Sequence, residues 1–263
     1  MTAAALPSKF ATIVRLTLLE LWRQRLAFAP IAIAVVMAVI AVTFANAGDK
    51  AAPLLLSQSR ELAQGVYGML GFLGTLLGLL AGAGLVSTEI ERGTVLLLAI
   101  KPLPRWLLML GKAVGAFAFL LASFALWGVF LLIQAWLHMP GMPLGALFIG
   151  LLLSTLVPIL FAAVALFYST FLPTMGAAAA ALFTWVAASI APNLIVLEQD
   201  PHTAWAGYLA DGISRVLPLD ALRTLAIALP FGDGLTRAQG LELLTIPGWI
   251  VLAMVVFQRR NLG

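Results

Sequence analysis

The sequence predicts an all-α integral membrane protein with six transmembrane helices and an N-terminal interfacial amphipathic helix. Three observations lead there. Hydrophobic residues make up 62% of the 263-residue chain and charged residues only 10%, against about 25% charge in a soluble domain. Six apolar runs approach or exceed the roughly 20 residues that a helix needs to cross a bilayer. These runs are continuous and lack period-two alternation, which argues against an outer-membrane barrel, and lipid excludes open strands by leaving their backbone unpartnered. The chain has no cysteine, so disulfide, thiolate and zinc-thiolate chemistry are excluded. The net charge of +4 fits basic residues held at one membrane face and does not call for nucleic acid.

The elements follow in order. From Ser8 to Arg25, Phe10, Ile13, Val14, Thr17, Leu18 and Leu21 recur at helical spacing, while Lys9, Thr12, Arg15, Arg23 and Gln24 lie mostly off that stripe. A basic amphipathic helix of this kind lies in the membrane interface. The spans are expected at about Phe28–Phe44, Val66–Val86, Trp106–Leu137, Leu144–Tyr168, Thr174–Leu197 and Leu241–Phe257, the last with Pro247 near its start. Ala45-Asn46-Ala47 has the small-residue form of a signal-peptidase site. The run before it exceeds the usual signal core of about 7–15 residues, so the segment is read as a retained span.

Lys and Arg set the orientation. Lys9, Arg15, Arg23 and Arg25 precede the first span; Arg92, Lys101, Arg105 and Lys112 lie around the connection between spans two and three; Arg259 and Arg260 follow the last span. The other side holds Lys50, Arg60, Arg215, Arg223 and Arg237. The bias places both termini in the cytoplasm and the segment 198–240 outside.

The connection between spans two and three is a dense polar knot, Ser87 to Lys112. Span two is expected to run on through Thr88–Arg92. Gly93 suits the left-handed end of a helix and Thr94 a new start. Val95–Ile100 is apolar but too short to span, Pro102 and Pro104 end it, and Lys112 can snorkel to the interface. Physical reading alone leaves two outcomes open: a hairpin that anchors the fold, or a knob that inserts into a partner's groove.

Other motifs narrow the chemistry. Gly111-Lys112 has Trp106 where a phosphate-binding loop needs its first glycine and Ala113 where it needs Ser or Thr. No HExxH or GxSxG occurs. Phe231–Gly234 resembles part of an aspartyl-protease motif, but Pro230 replaces its first glycine. His138, Met139 and Met142 form a soft-ligand set suited to Cu(I), beside the plainer reading of a turn made by Pro140, Gly141 and Pro143. The span interiors are nearly free of charge, which disfavours an ion-coupled carrier. Gly74, Gly78 and Gly82 repeat every four residues along one stripe, a close-packing face within the subunit or toward a second copy. After Leu197, Trp205, Tyr208, Leu209, Ile213, Val216 and Leu217 form an amphipathic pattern, and Pro218 can open a second helix.

Glu89 and Glu91, the "RGT" of Arg92–Thr94, the leucine run, "KPLPR" at Lys101–Arg105 and "LGK" at Leu110–Lys112 together resemble the permease subunit of ABC-2 type ATP-binding-cassette transporters. Leu217–Arg223 is similar to a stretch in permeases of transporters that mature nitrous oxide reductase. The resemblance implies a type V exporter-like architecture. Residues 1–27 would form the cytoplasmic elbow helix, 28–257 the six-helix domain, 87–105 the cytoplasmic coupling loop, 198–240 the extracytoplasmic segment and 258–263 the tail. It further implies that Glu89, Glu91, Arg92, Gly93, Thr94, Val95, Leu96, Leu97, Leu98, Ile100, Lys101 and Arg105 dock a separate ATPase subunit that carries the ATP and Mg. Two permease copies would join two ATPases in a bacterial cytoplasmic membrane, with the fifth span near the two-fold axis and export as the direction. The expected chain has no catalytic residues and binds no cofactor. Membrane lipid and an extracytoplasmic protein are its other expected partners. Two rivals remain: an ATPase-coupled scaffold acting on an outer partner, and a carrier that needs no ATPase.

Overall fold

In a computed structural model, the described residues are 6–23, 26–45, 59–91, 104–138, 143–195, 204–230 and 243–259, and they are helical with no strand among them. Among the described residues ten helices follow in order: α1 (Leu6–Arg23), α2 (Phe28–Ala45), α3 (Ser59–Glu91), α4 (Arg105–His138), α5 (Leu144–Ser154), α6 (Leu156–Ser169), α7 (Thr174–Ile195), α8 (Ala204–Val216), α9 (Leu219–Ala228) and α10 (Thr245–Arg259).

Four stretches among the described residues are long and apolar enough to cross a membrane: Gln64–Glu91, Trp106–Leu137, Leu144–Ser169 and Thr174–Leu194. Two shorter apolar helices, Phe28–Met37 and Thr245–Arg259, coincide with the first and sixth expected spans. Pro247 sits in the first turn of α10, where the missing N–H would have had no helical partner anyway.

Two expected boundaries shift. The helix of the second expected span, α3, starts at Ser59, well before Val66, with Glu61 and Gln64 in polar turns that precede the apolar run. The fourth span is interrupted at Thr155, dividing it into α5 and α6. Pro158 supplies no N–H for the Ser154 carbonyl. The chain tightens there, with the Thr155 N–H and hydroxyl both donating to the Leu152 carbonyl.

Helix α6 is the hub. Leu160, Phe161, Ala163, Val164 and Ala165 are all buried, so almost no face of this helix meets the surroundings. Helix α3 lies along it on the glycine stripe. A Cβ on Gly78 would come within 2.6 Å of the Pro158 carbonyl oxygen; one on Gly82 would collide with the Ala162 carbonyl, and one on Gly74 with the Phe124 ring. The stripe therefore packs helices inside the subunit.

Helix α1 rests on α4. Ile13, Thr17 and Leu21 are buried, the inner part of the apolar stripe expected for this helix. They seat against Gly111 and Gly115 of α4, where added Cβ atoms would lie 2.6 Å from Ile13 Cγ2 and 2.7 Å from Thr17 Cβ. Leu16, Leu19 and Trp22 stay exposed on the other side. Helix α2 is fastened by the Trp127 indole, whose N–H donates to the Pro30 carbonyl at 2.9 Å.

Candidate functional site

The polar knot lies where α3 ends, α4 begins, and the start of α7 and the last turn of α1 converge. Helix α3 keeps its form there although its sequence turns polar. Ser87 and Thr88 return their hydroxyls to the Ala83 and Gly84 carbonyls, each at 2.6 Å. This satisfies both side chains locally and lets the helix reach Glu91.

Lys112 is the centre of the site. It stands two turns into α4 and is 2% exposed. Its ammonium meets Glu89 Oε1 at 2.7 Å and Glu20 Oε2 at 3.9 Å, and it donates to the Leu85 carbonyl. An ammonium has three protons, and here they face two carboxylates and a carbonyl. Burying this charge is tolerable only because its partners are in place. The partners come from α1 and α3, so one side chain of α4 ties three helices together.

A second tie lies beside it. Glu91 Oε1 accepts the Thr174 backbone N–H at 2.8 Å and the Thr174 hydroxyl at 3.1 Å. The Thr174 and Ser87 hydroxyls are 2.8 Å apart. Thr174 is the first residue of α7, so a carboxylate from α3 caps α7, satisfying an orphan donor at the positive end of its dipole.

The expected docking residues thus divide. Glu89 and Glu91 are the last charged residues of α3 and both have partners within the chain; Glu89 is turned toward Lys112, its side chain 21% exposed. Arg92, Gly93, Thr94, Val95, Leu96, Leu97, Leu98, Ile100 and Lys101 lie outside the described residues, and Arg105 opens α4. His138 ends α4, and Met139 and Met142 lie outside the described residues. Lys112 is not the snorkelling residue that sequence expects. It turns inward because carboxylates on two neighbouring helices reach it there. Glu20 and Thr174 were not expected at the site. The legible signal was a lone lysine inside an apolar span, with a glutamate pair at the end of the preceding one.

The sequence matches the family described as ABC-2 family transporter protein over residues 11–262. The chain belongs to that family. No individual curated protein matches it. As an ABC-2 transporter protein, the chain is a multi-pass membrane component of an ABC transporter and not its catalytic part; membership implies partnership with an ABC ATPase subunit.

Proposed function

We propose that this ABC-2 permease converts ATP hydrolysis on a separate ATPase into movement of its spans, by way of the loop 92–104. The observation that carries this reading is the Lys112 cluster. A push on the loop reaches α3 and α4 together, because Glu89 and Lys112 join them at the loop's two ends. It reaches α1 through Glu20 and α7 through Glu91 and Thr174. Docking then falls to Arg92–Lys101, with the short apolar helix expected at Val95–Ile100 as the knob and Arg105 at its return. Glu89 and Glu91 hold the frame from which that knob projects.

In this reading six spans cross a bacterial cytoplasmic membrane with both termini inside, α1 is the interfacial elbow, and 198–240 faces outward. Two copies act with two ATPases, which hold the ATP and Mg, and the direction is export. A facing copy is supported by α7, whose Met175, Phe183, Leu182 and Ile190 are exposed. The mild polarity of the span interiors suits an amphipathic or lipid-like substrate better than an ion.

The test is co-purification. The tagged chain is extracted in mild detergent and its partners are identified by mass spectrometry, then again after changing Val95, Leu96, Leu97, Leu98 and Ile100 to Ser or Asn. A stoichiometric P-loop ATPase that is lost in the variant is the expected result. Recovery of the wild-type chain alone, or an ATPase that survives the substitutions, overturns the docking assignment. Reversing Glu89 to Lys is a poorer test, because it sets a lysine against Lys112 and disturbs the frame as well.

A further inference from the structure

At the end of the bundle away from the loop, a cavity of about 90 Å³ opens between α3, the α5–α6 junction and α9. Its walls come from one face of each element. Gln64, Tyr67, Gly68 and Gly71 recur at helical spacing on α3; Arg223, Ala226 and Ile227 do so on α9; Ser154 and Val157 flank the Thr155 interruption.

The space exists because two glycines leave it open. Unlike Gly74, Gly78 and Gly82, Gly68 and Gly71 would place a Cβ with nothing within 4 Å. These two are therefore not close-packing positions. Tyr67 is held at the wall by donating its hydroxyl to the Leu147 carbonyl at 2.9 Å, and Ser154 is occupied with the Gly150 carbonyl at 2.8 Å. The lining is otherwise apolar except for Gln64 and Arg223.

Arg223 is the single charged residue in that lining. It is exposed at the rim of the hollow; partial desolvation there pulls its guanidinium below the ordinary arginine range and Asp220 pushes it partly back. Asp220 acts from one turn away without forming an ion pair, and among the described residues no acceptor takes the guanidinium's protons. Arginine stays charged at neutral pH and offers a planar fork that fits a phosphate or carboxylate with two hydrogen bonds. A cation at the edge of an apolar hollow in a multi-pass membrane protein has the chemistry of a site for an anionic amphiphile.

We propose that this cavity binds an anionic phospholipid, with its phosphate on Arg223 and Gln64 and the adjoining carbons against Gly68, Gly71, Val157 and Ile227. The site is contained within one chain and does not depend on ATPase coupling, so it is testable on the permease alone.

The experiment is native mass spectrometry of the full chain in detergent, titrated with dioleoyl phosphatidylglycerol or with phosphatidylcholine of the same acyl chains. One phosphatidylglycerol is expected to bind about fivefold more tightly than phosphatidylcholine, because both carry the phosphate but the choline ammonium neutralises it in the latter, leaving less net charge for Arg223. Arg223→Gln removes that preference and Arg223→Lys keeps part of it. A Cβ at Gly71 meets nothing within 4 Å, so Gly71→Leu is expected to fill the cavity and lose the bound lipid; an unchanged melting temperature of that variant separates lipid loss from misfolding. Equal binding of the two lipids, or a preference that survives both Arg223→Gln and Gly71→Leu, overturns the proposal. Inorganic phosphate that competes as well as phosphatidylglycerol overturns the lipid assignment in favour of a free-anion site.

Discussion

Replacing Lys112 by Met keeps most of the side-chain volume and removes the charge. The consequence follows from what stays behind. Glu89 keeps a carboxylate that is only 21% exposed and has lost its partner at 2.7 Å, while Glu20, 29% exposed and 3.9 Å away, is nearer water. Breaking a buried ion pair from one side costs about 3–5 kcal/mol. Glu89 keeps some access to solvent, so the lower end applies and the expected loss is about 3 kcal/mol. Glu20→Gln should cost less than about 1 kcal/mol, as a long and partly exposed pair does. The informative variant is Lys112→Met with Glu89→Gln, in which no charge is stranded. Equilibrium unfolding in mixed micelles, followed by far-ultraviolet circular dichroism, gives the four corners of the cycle. The double variant should be more stable than the sum of the single losses predicts, with a coupling of about 2 kcal/mol. Additive losses would refute the view that Lys112 and Glu89 act as one unit.

Two further outcomes follow from the packing and from the cap. Gly78→Ala and Gly82→Ala should each cost about 1–3 kcal/mol, because the obstructing atoms are backbone carbonyls of α6 that cannot rotate away. Gly71→Ala should be neutral or stabilising by up to about 1 kcal/mol, and the same unfolding assay separates the two classes. Thr174→Val keeps the shape but removes the hydroxyl shared with Ser87 and Glu91. It should lower stability by about 0.5–1.5 kcal/mol, the worth of a side-chain hydrogen bond, with the Glu91 bond to the residue 174 N–H left in place. Hydrogen exchange should rise first at the start of α7, and protection unchanged there would count against the hydroxyl's part in holding α7 to α3.

What sequence made legible depended on the kind of signal. The apolar runs located the long spans because hydrophobic length is a summed property, insensitive to any one residue. The stripe Ile13, Thr17, Leu21 was readable for the same reason: it is periodic. The α1 seat at Gly111 and Gly115 was not read, since two glycines one turn apart name no partner until the helices are placed. The same limit left the Gly74–Gly82 stripe open between an internal and an external neighbour. Pro158 was not read as a weakness in the fourth span, and the break at Thr155 also depends on its hydroxyl folding back onto Leu152. At the polar knot the residue types were conspicuous and their directions were not. Glu89 and Lys112 are far apart along the chain, and only the antiparallel placement of α3 and α4 turns them toward each other.

That placement bears on how force would travel. A helix held by side chains that can rotate is free to slide against its neighbour, whereas one seated backbone to backbone moves with it. Helix α3 is of the second kind along α6, since at Gly78 and Gly82 nothing but carbonyl and small-residue surface separates them. Helix α6 is in turn buried on all sides and packs against α10 through residues such as Ala253 and Phe257. A load entering at the end of α3 therefore displaces a rigid α3–α6 pair and not a single helix. Helix α7 stands differently. Its outer face is exposed, with Phe183 at 76%, while Ala177, Ala181 and Ala188 bury its inner face. Glu91 binds its first residue to α3, and the Tyr168 and Thr184 hydroxyls join it to α6 at 3.0 Å. The arrangement is a packed block of α3, α6 and α7 with an exposed face on α7. A tilt of α3 at the loop would then carry α7 with it and shift whatever lies against that exposed face.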